Sequence, residues 1–300
     1  MKSVSSKPST FRRAVAVGQL RVTEATIERM NRNDLPKKDV LPVARVAAVT
    51  AAKKTPEIIP YCHPLPIDAV DVEFDVAKDH IDIRVTVEAV WKTGVEMEAL
   101  AAVSVAALTI YDMLKPIDTN IVIEQVRLES KKGGKKTYPR RAPADLKAAV
   151  VVTSDGTYAG EREDRSGRAI EERLKSYGVN VSCEILPDDH ARIVEKLLLL
   201  CEQNIDLILT TGGTGLGPRD VTAEATAEVI ERAAPGITEA ARSYGQARTP
   251  YAMLSRGIAG IRGNTLIINL PGSTRGVEET LDAIFPGVFH AFSMMEGDGH

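Results

Sequence analysis

The sequence predicts two domains of different class in one chain: an α+β first half built on an antiparallel sheet, and an α/β second half built on a parallel sheet covered on both faces. Three observations point there. Residues 72–87 alternate apolar and polar side chains on either side of a short polar turn, the pattern of a hairpin with one buried face. Beyond residue 148 the apolar segments AAVVVTS, DLILTT and LIINLPG are short continuous runs separated by amphipathic stretches, which is how the strands of a parallel sheet covered on both faces read. The length of 300 residues exceeds what one core usually serves, so two domains of about 150 residues each are expected.

In the hairpin, Val72, Phe74 and Val76 share a face with Ile81, Ile83, Val85 and Val87, and AKDH turns the chain. The stretch WKTGVEMEALAAVSVAALTIYDMLK, residues 91–115, then reads as a helix, because Leu100, Val103, Ala107, Ile110 and Leu114 recur at steps of three and four. Alanine and serine around that stripe let another backbone come close. The apolar run within Ala99–Tyr111 is shorter than the roughly 20 residues that cross a bilayer. Val122, Glu124, Val126 and Leu128 suggest one more strand. Between Ser130 and Asp145 the composition turns to Lys, Gly, Pro and Arg, which cannot form a core. The expected division is a first domain over 1–136, a basic linker over 137–147 and a second domain over 148–300. In the second domain AAVVVTS is followed by the amphipathic SGRAIEERLKSYG, a strand VSCEIL, a helix near ARIVEKLLLLCEQ, the strand DLILTT with a Gly-rich loop, and the strand LIINLPG.

Composition excludes several classes. Apolar residues make up 44% and charged residues 26%, ordinary for a folded globular chain. Cys62, Cys183 and Cys201 stand far apart with no C-x-x-C, which suits a reducing compartment and argues against a structural zinc site. The start, MKSVSSKPSTFRR, has no apolar signal core, so a cytoplasmic protein without a membrane partner is expected. Residues 130–147 hold seven Lys or Arg against Asp145 alone, so this segment is +6 and, the whole chain being −3, the remainder is −9. A uniformly basic nucleic-acid binder is not indicated. An RNA-binding reading of KKGGKK is weak as well, since only Tyr138 accompanies the cluster.

Three strand ends of the second half carry small polar residues, on the rim where such sheets bind ligands. TTGGTGLGPRD, residues 210–220, follows a buried strand, and Gly212, Gly213, Gly215 and Gly217 would let bare N–H groups face a phosphate; it is neither a Walker loop nor G-x-G-x-x-G, and taken alone it reads equally as a plain structural turn. Ser154 and Asp155 of SDG, and Pro271, Gly272 and Ser273 of NLPGS, end two other strands. LPDD, residues 186–189, with Asp220, supplies carboxylates able to hold Mg²⁺; one of Asp188 and Asp189 is also placed to cap the following helix. In the first half, Glu98 and Asp112 are fourteen residues apart on the helix, about 21 Å by its rise. They cannot meet within one chain. Asp112 and Lys115 are i, i+3 neighbours able simply to pair, and Lys37, Lys131 and His63 add cations and a titratable ring.

TTGGTGLGPRD with LPDD, SDG and NLPGS, in this order, resembles the molybdopterin adenylyltransferase family and its relative MoaB, over about residues 148–300. The resemblance implies an α/β doubly wound, Rossmann-like molybdopterin-binding fold that takes ATP with Mg²⁺, catalytic carboxylates at Asp188 and Asp220, and substrate contacts from Ser154, Asp155, Gly212, Gly213, Thr214, Gly215, Pro271, Gly272 and Ser273. A second reading makes this half a catalytically silent pterin-binding or oligomerisation module.

PYCHPLP, KTGVEMEAL and AALTIYDMLK resemble the cyclic pyranopterin monophosphate synthase family, MoaC, over about residues 1–136. That resemblance implies a ferredoxin-like homo-oligomer, a hexamer with sites at subunit interfaces, which turns a cyclic dihydro-GTP into cyclic pyranopterin monophosphate and releases pyrophosphate, without a tightly bound organic cofactor. By motif, Asp112 is the acid/base with Lys115 beside it. Tyr61, Cys62, His63, Met97 and Glu98 contact substrate, and Arg12, Lys37 and Lys131 hold its triphosphate. The family's Asp near the start is Ser3 here, which puts the synthase half's full activity in question. The whole chain then reads as a fusion of two molybdenum cofactor biosynthesis enzymes, with pterin and nucleotide substrates and trimeric contacts in the second half.

Overall fold

The computed structural model of the chain describes residues 1–134 and 142–297. The chain divides into two compact units, Met1–Thr137 and Tyr138–His300. Residues 137–141 of the expected linker lie outside the described residues, and its last residue, Lys147, already begins the first strand of the second unit.

The first unit runs β1 (Thr10–Arg21), α1 (Glu24–Asn31), α2 (Val40–Ile58), β2 (Ala69–Val76), β3 (His80–Trp91), α3 (Glu96–Leu114) and β4 (Val122–Lys132). Its sheet has the order β2-β3-β1-β4, and every pairing is antiparallel. The β2–β3 hairpin sets Val72 opposite Val85, Phe74 opposite Ile83 and Val76 opposite Ile81, and the Ala77 N–H donates to the His80 carbonyl at 2.9 Å to close the turn. β1, a strand the sequence reading does not single out, is central. Its buried positions include Ala14, Ala16 and Gly18, too small to mark an apolar alternation.

α2 and α3 cover the sheet. Ala44, Ala48 and Ala52 of α2 and Ala99, Ala102 and Ala106 of α3 are buried in one cluster. The buried face of α3 is wider than the expected stripe, because α3 packs both on α2 and on the sheet; Leu100 sits at its margin, half-buried. At 19 residues and a mean hydropathy of 1.5, α3 is longer than its apolar run suggests and would pass for a membrane span by length and composition, but half of it is buried inside the unit, as in a core helix.

The second unit runs β5 (Lys147–Thr153), α4 (Asp155–Tyr158), α5 (Ser166–Lys175), β6 (Asn180–Leu186), α6 (His190–Glu202), β7 (Leu207–Thr211), α7 (Thr222–Val229), β8 (Arg232–Ala233), α8 (Pro235–Gln246), a 3₁₀ turn (Pro250–Leu254), β9 (Ala259–Arg262), β10 (Thr265–Leu270), α9 (Thr274–Ile284), a second 3₁₀ turn (Gly287–Phe289) and α10 (His290–Met295). The sheet order is β6-β5-β7-β10-β9-β8. The first four strands are parallel, as expected. The last two are antiparallel, so the sheet is mixed, because the two-residue loop Gly263-Asn264 folds β9 and β10 into a hairpin. The apolar runs divide by alternate residues between two cores. Val150, Val152, Leu207, Leu209 and Ile268 face one cluster, and Val151, Ile208 and Ile267 face the other, which leaves only the strand ends for polar chemistry.

Gly18 of β1 sets how closely α3 can lie, since a Cβ there would stand 2.6 Å from Val103 Cγ1. Gly18→Ala is expected to destabilise the first unit by about 1–3 kcal/mol through overpacking. Thermal unfolding followed in that unit checks it, and an unchanged transition would show that the helix yields.

Candidate active sites

α3 carries a charged cluster at each end. At its far end Asp112 lies between two lysines: Lys37 Nζ donates to Oδ2 at 2.7 Å and to the Asp112 carbonyl at 3.0 Å, and Lys115 Nζ stands 2.6 Å from Oδ1. Lys115 occupies the C-cap of α3, and Lys37 arrives from the loop before α2. The Lys115 contact, followed by that of Lys37, holds the Asp112 carboxyl down at about 2, and Asp112 raises Lys115 in return. At neutral pH the pair is therefore a carboxylate and an ammonium.

At the start of α3, Glu96 Oε1 accepts from Lys131 Nζ at 3.0 Å. Burial pushes Glu96 up, but the lysine contact and its own amide, with Arg12 nearby, bring it below the usual range. Arg12 donates through Nε to the Trp91 carbonyl at 3.1 Å and through Nη2 to that of Lys92 at 3.4 Å. Glu98 is 2% exposed, and burial, with the charge of Glu96, pushes it up. Burial and then the charge of Glu98 raise the Cys62 thiol. Tyr61 is 77% exposed and Met97 is exposed; His63 is half-buried.

Of the expected triphosphate ligands, Arg12 and Lys131 both stand by Glu96, whereas Lys37 is at the other end of α3 with Asp112. One chain does not bring the two clusters into one site. Glu96 is not among the ligands that the motif resemblance implies, although it stands two residues before Glu98. Ser3 lies in the stretch before β1, with its Oγ 3.0 Å from that of Ser5.

In the second unit, loops at the carboxyl ends of neighbouring strands meet backbone to backbone. Gly212 and Gly213 have φ of 100° and 59°, the left-handed region that favours glycine. A Cβ on Gly212 would stand 2.1 Å from the Thr153 carbonyl oxygen, and one on Gly272 would stand 3.2 Å from Gly212 Cα. Thr211 Oγ1 donates to the Pro271 carbonyl at 2.7 Å, joining the loops after β7 and β10. Gly215 and Gly217 serve a different end. A Cβ on them would come within 2.9 and 2.8 Å of Asp220 Oδ2, which accepts the Gly217 N–H at 2.8 Å. Thr214, between Gly213 and Gly215, is buried.

Asp188, just after β6, exchanges hydrogen bonds with Asp155. The Asp188 N–H donates to Asp155 Oδ1 and the Asp155 N–H to Asp188 Oδ2, each at 3.0 Å. Arg219 grips Asp155 through Nε at 3.1 Å and Nη2 at 2.7 Å and lowers its pKa. The other oxygen of Asp188, Oδ1, is buried and accepts no hydrogen bond from any of the described residues. Burial above all, with the charges of Asp155 and Asp220, raises the Asp188 carboxyl. Its neighbour Asp189 is the helix cap, its Oδ1 accepting the Arg192 N–H at 3.0 Å. Ser154 and Ser273 also cap, accepting from Thr157 at 3.3 Å and Gly276 at 3.2 Å at the starts of α4 and α9.

A buried carboxylate oxygen without a partner, with a second carboxylate near it, suits a hard cation. Asp188 and Asp220 are the residues that would hold Mg²⁺, whose remaining positions water and phosphate oxygens commonly fill. Among the described residues no group of three or more His, Cys, Asp or Glu could hold a metal by itself. Beside the loop after β10 lies a cavity of about 290 Å³ whose walls include Asn269, Pro271, Ser273, Arg242, Tyr251 and Glu279. The last three escaped the sequence reading because they come from separate elements and form no local motif.

Residues 1–134 match the MoaC family, and residues 149–290 match a family described as "Probable molybdopterin binding domain". The chain is 43% identical over 301 residues to a molybdenum cofactor biosynthesis bifunctional protein of Chlorobaculum tepidum, with 100% of this chain and 96% of the relative covered. It is 37% identical over 314 residues to a bifunctional protein of the same description from Synechococcus elongatus, with 100% and 98% covered. The first half is 52% identical over 137 residues to a cyclic pyranopterin monophosphate synthase of a Roseiflexus species, with 45% of this chain and 87% of that one covered.

The clamp on Asp112 has a measurable signature. Its folded pKa of about 2 lies below the ordinary 3.8, so the stabilisation it contributes is present above the ordinary value and is lost as pH falls toward the folded one. Carboxyl carbon NMR is expected to give a midpoint near 2 for Asp112, moving up in Lys115→Met. A midpoint near the ordinary value in the unmodified protein would mean that the lysines do not hold it in solution.

Proposed function

The chain belongs to the family of bifunctional molybdenum cofactor biosynthesis proteins, and from that premise we propose that its first half converts a cyclic dihydro-GTP to cyclic pyranopterin monophosphate with release of pyrophosphate, while its second half adenylates molybdopterin with Mg²⁺-ATP, both in the cytoplasm. The first unit's β-αα-β-β-α-β sequence and its β2-β3-β1-β4 order support a ferredoxin-like reading.

In the first half, Asp112 and Lys115 are the groups that move protons. Lys37 holds Asp112 Oδ2, so a triphosphate arriving at Lys37 competes for the ammonium and frees that oxygen to accept a proton, while Lys115 on Oδ1 is the donor. Arg12 and Lys131 take phosphate oxygens at the other end of α3, where Tyr61, Cys62, His63, Met97 and Glu98 form the wall for the ring. The separation of the two clusters along α3 requires a second copy to complete each site. A homo-oligomer, hexameric in the first half with trimeric contacts in the second, supplies it.

In the second half the supporting observation is the unpartnered, buried Asp188 Oδ1 near Asp220. Mg²⁺ bound there would neutralise phosphate charge during adenylyl transfer. The residues of the chain do the rest. The Gly212–Gly215 backbone receives phosphate oxygens, Arg219 is charged and close enough to join them once it leaves Asp155, and the cavity beside Pro271 and Ser273 takes an organic ring.

The test is a split assay on the purified full chain, given cyclic dihydro-GTP in one arm and molybdopterin with Mg²⁺-ATP in the other, with pyrophosphate measured in both. Release is expected in each. Asp112→Asn should cut the first reaction by about 10²–10⁴-fold and leave the second, and Asp220→Asn should do the reverse. No release in the second arm would leave that half a binding module, and none in the first would direct attention to Ser3.

A further inference from the structure

Arg256 lies outside every motif that marks the second site, yet it holds the glycine-rich turn of that site at several points. Its backbone N–H donates to the Thr214 carbonyl at 2.9 Å. Its side chain donates through Nε to the Gly215 carbonyl and through Nη2 to the Asp220 carbonyl, each at 2.6 Å. The remaining nitrogen, Nη1, pairs with the carboxylate of Glu224 in the first turn of α7. One planar fork thus joins both ends of the 215–220 turn. A lysine, a point charge on a flexible stem, lacks the fixed geometry to do so.

The shape of that turn decides where the Asp220 carboxylate stands. Gly217 donates its N–H to Oδ2, and both Gly215 and Gly217 make room for that oxygen. The neighbours of Arg256 face another part of the site: Ser255 and Gly257 line the cavity, the Gly257 carbonyl accepts Arg242 Nη1 at 2.9 Å, and the Ile258 N–H donates to Asn269 Oδ1 at 3.1 Å. Residues 255–258 are therefore a shared wall between the cavity and the turn.

We propose that Arg256 is a positioning residue of the second site: its guanidinium, oriented by Glu224, fixes the Asp220 carboxylate and links its position to the wall of the cavity. Arg256 itself touches no reacting atom. Glu224 balances its charge, so the contribution is directional and a charge alone does not replace it. Its kinetic consequence rests on the adenylyl-transfer reading; its structural consequence does not.

The test uses the full chain with Arg256→Lys, Arg256→Ala and Glu224→Gln, and reads Gly217 amide hydrogen exchange together with kcat and KM for Mg²⁺-ATP. In both Arg256 variants Gly217 is expected to exchange about tenfold faster or more while β5, β7 and β10 stay protected. kcat should fall about ten- to a hundredfold with KM changed by no more than about twofold, the pattern of a misplaced group that acts in the transition state. Glu224→Gln should fall between these and the unmodified protein. Unchanged Gly217 exchange in Arg256→Lys, or full recovery of kcat by lysine, overturns the proposal. Should the Arg256 variants lose protection across the whole sheet, Glu224→Gln decides, and unaltered exchange there overturns it too. If the unmodified protein transfers no adenylyl group, the adenylyl-transfer reading is what fails, and Gly217 exchange alone judges Arg256.

Discussion

Close approach of one backbone to another, made possible by residues with little or no side chain, is the constraint on which both units rest. In the first unit the alanines of α2 and α3 are buried together, and Gly18 lets α3 lie against β1. In the second, Gly212 stands against the Thr153 carbonyl and Gly272 against Gly212, so the end of β5 and the loops after β7 and β10 meet at contact distance. The consequence for function differs between the two. In the first unit the close packing makes α3 a rigid rod that holds two charged clusters apart. In the second it brings loops together.

The same chemical group is held at opposite levels in the two sites. Asp112 is exposed between ammonium groups and is ionised far below neutrality. Asp188 is half-buried near other carboxylates and is raised. For Asp112 the folded state favours the charge, so the contribution to stability fades as acid is added. For Asp188 the folded state favours the proton, so ionisation costs stability as pH rises through the carboxylate range. A group in the second condition gains from a bound cation, whereas Asp112 already has two. On the proposed reading this difference separates a proton-handling carboxylate from a metal-facing one, and neither level can be read from residue type.

What the sequence made legible was local. The β2–β3 register followed from alternation, and the parallel strands from short apolar runs. The glycine-rich turn was visible as a motif, though the division of labour within it was not: Gly212 and Gly213 supply left-handed backbone, while Gly215 and Gly217 supply space for Asp220. Asp188 and Asp189 are adjacent acids that the sequence cannot rank, and only the fold turns one to a helix cap and the other into the site. β1 was missed because alanine and glycine carry little apolar signal. Arg256 was missed because its partners, Gly215, Asp220 and Glu224, are more than thirty residues away and its task is to hold backbone, which leaves no motif.

The two proposed reactions are not consecutive, since the product of the first is not the substrate of the second, so handing an intermediate from one site to the other is no reason for joining them. Symmetry offers one. A hexamer of the first half made of three dimers has a threefold axis, and trimeric contacts in the second half have one as well. Assemblies of matching symmetry can be joined through one chain without a mismatch in copy number. If, as proposed, each first-half site draws on two copies, oligomerisation is obligatory for one activity, and the covalent link raises the local concentration of second halves available to form their own contacts. On this view the fusion fixes the ratio of the two enzymes and assists the assembly of both.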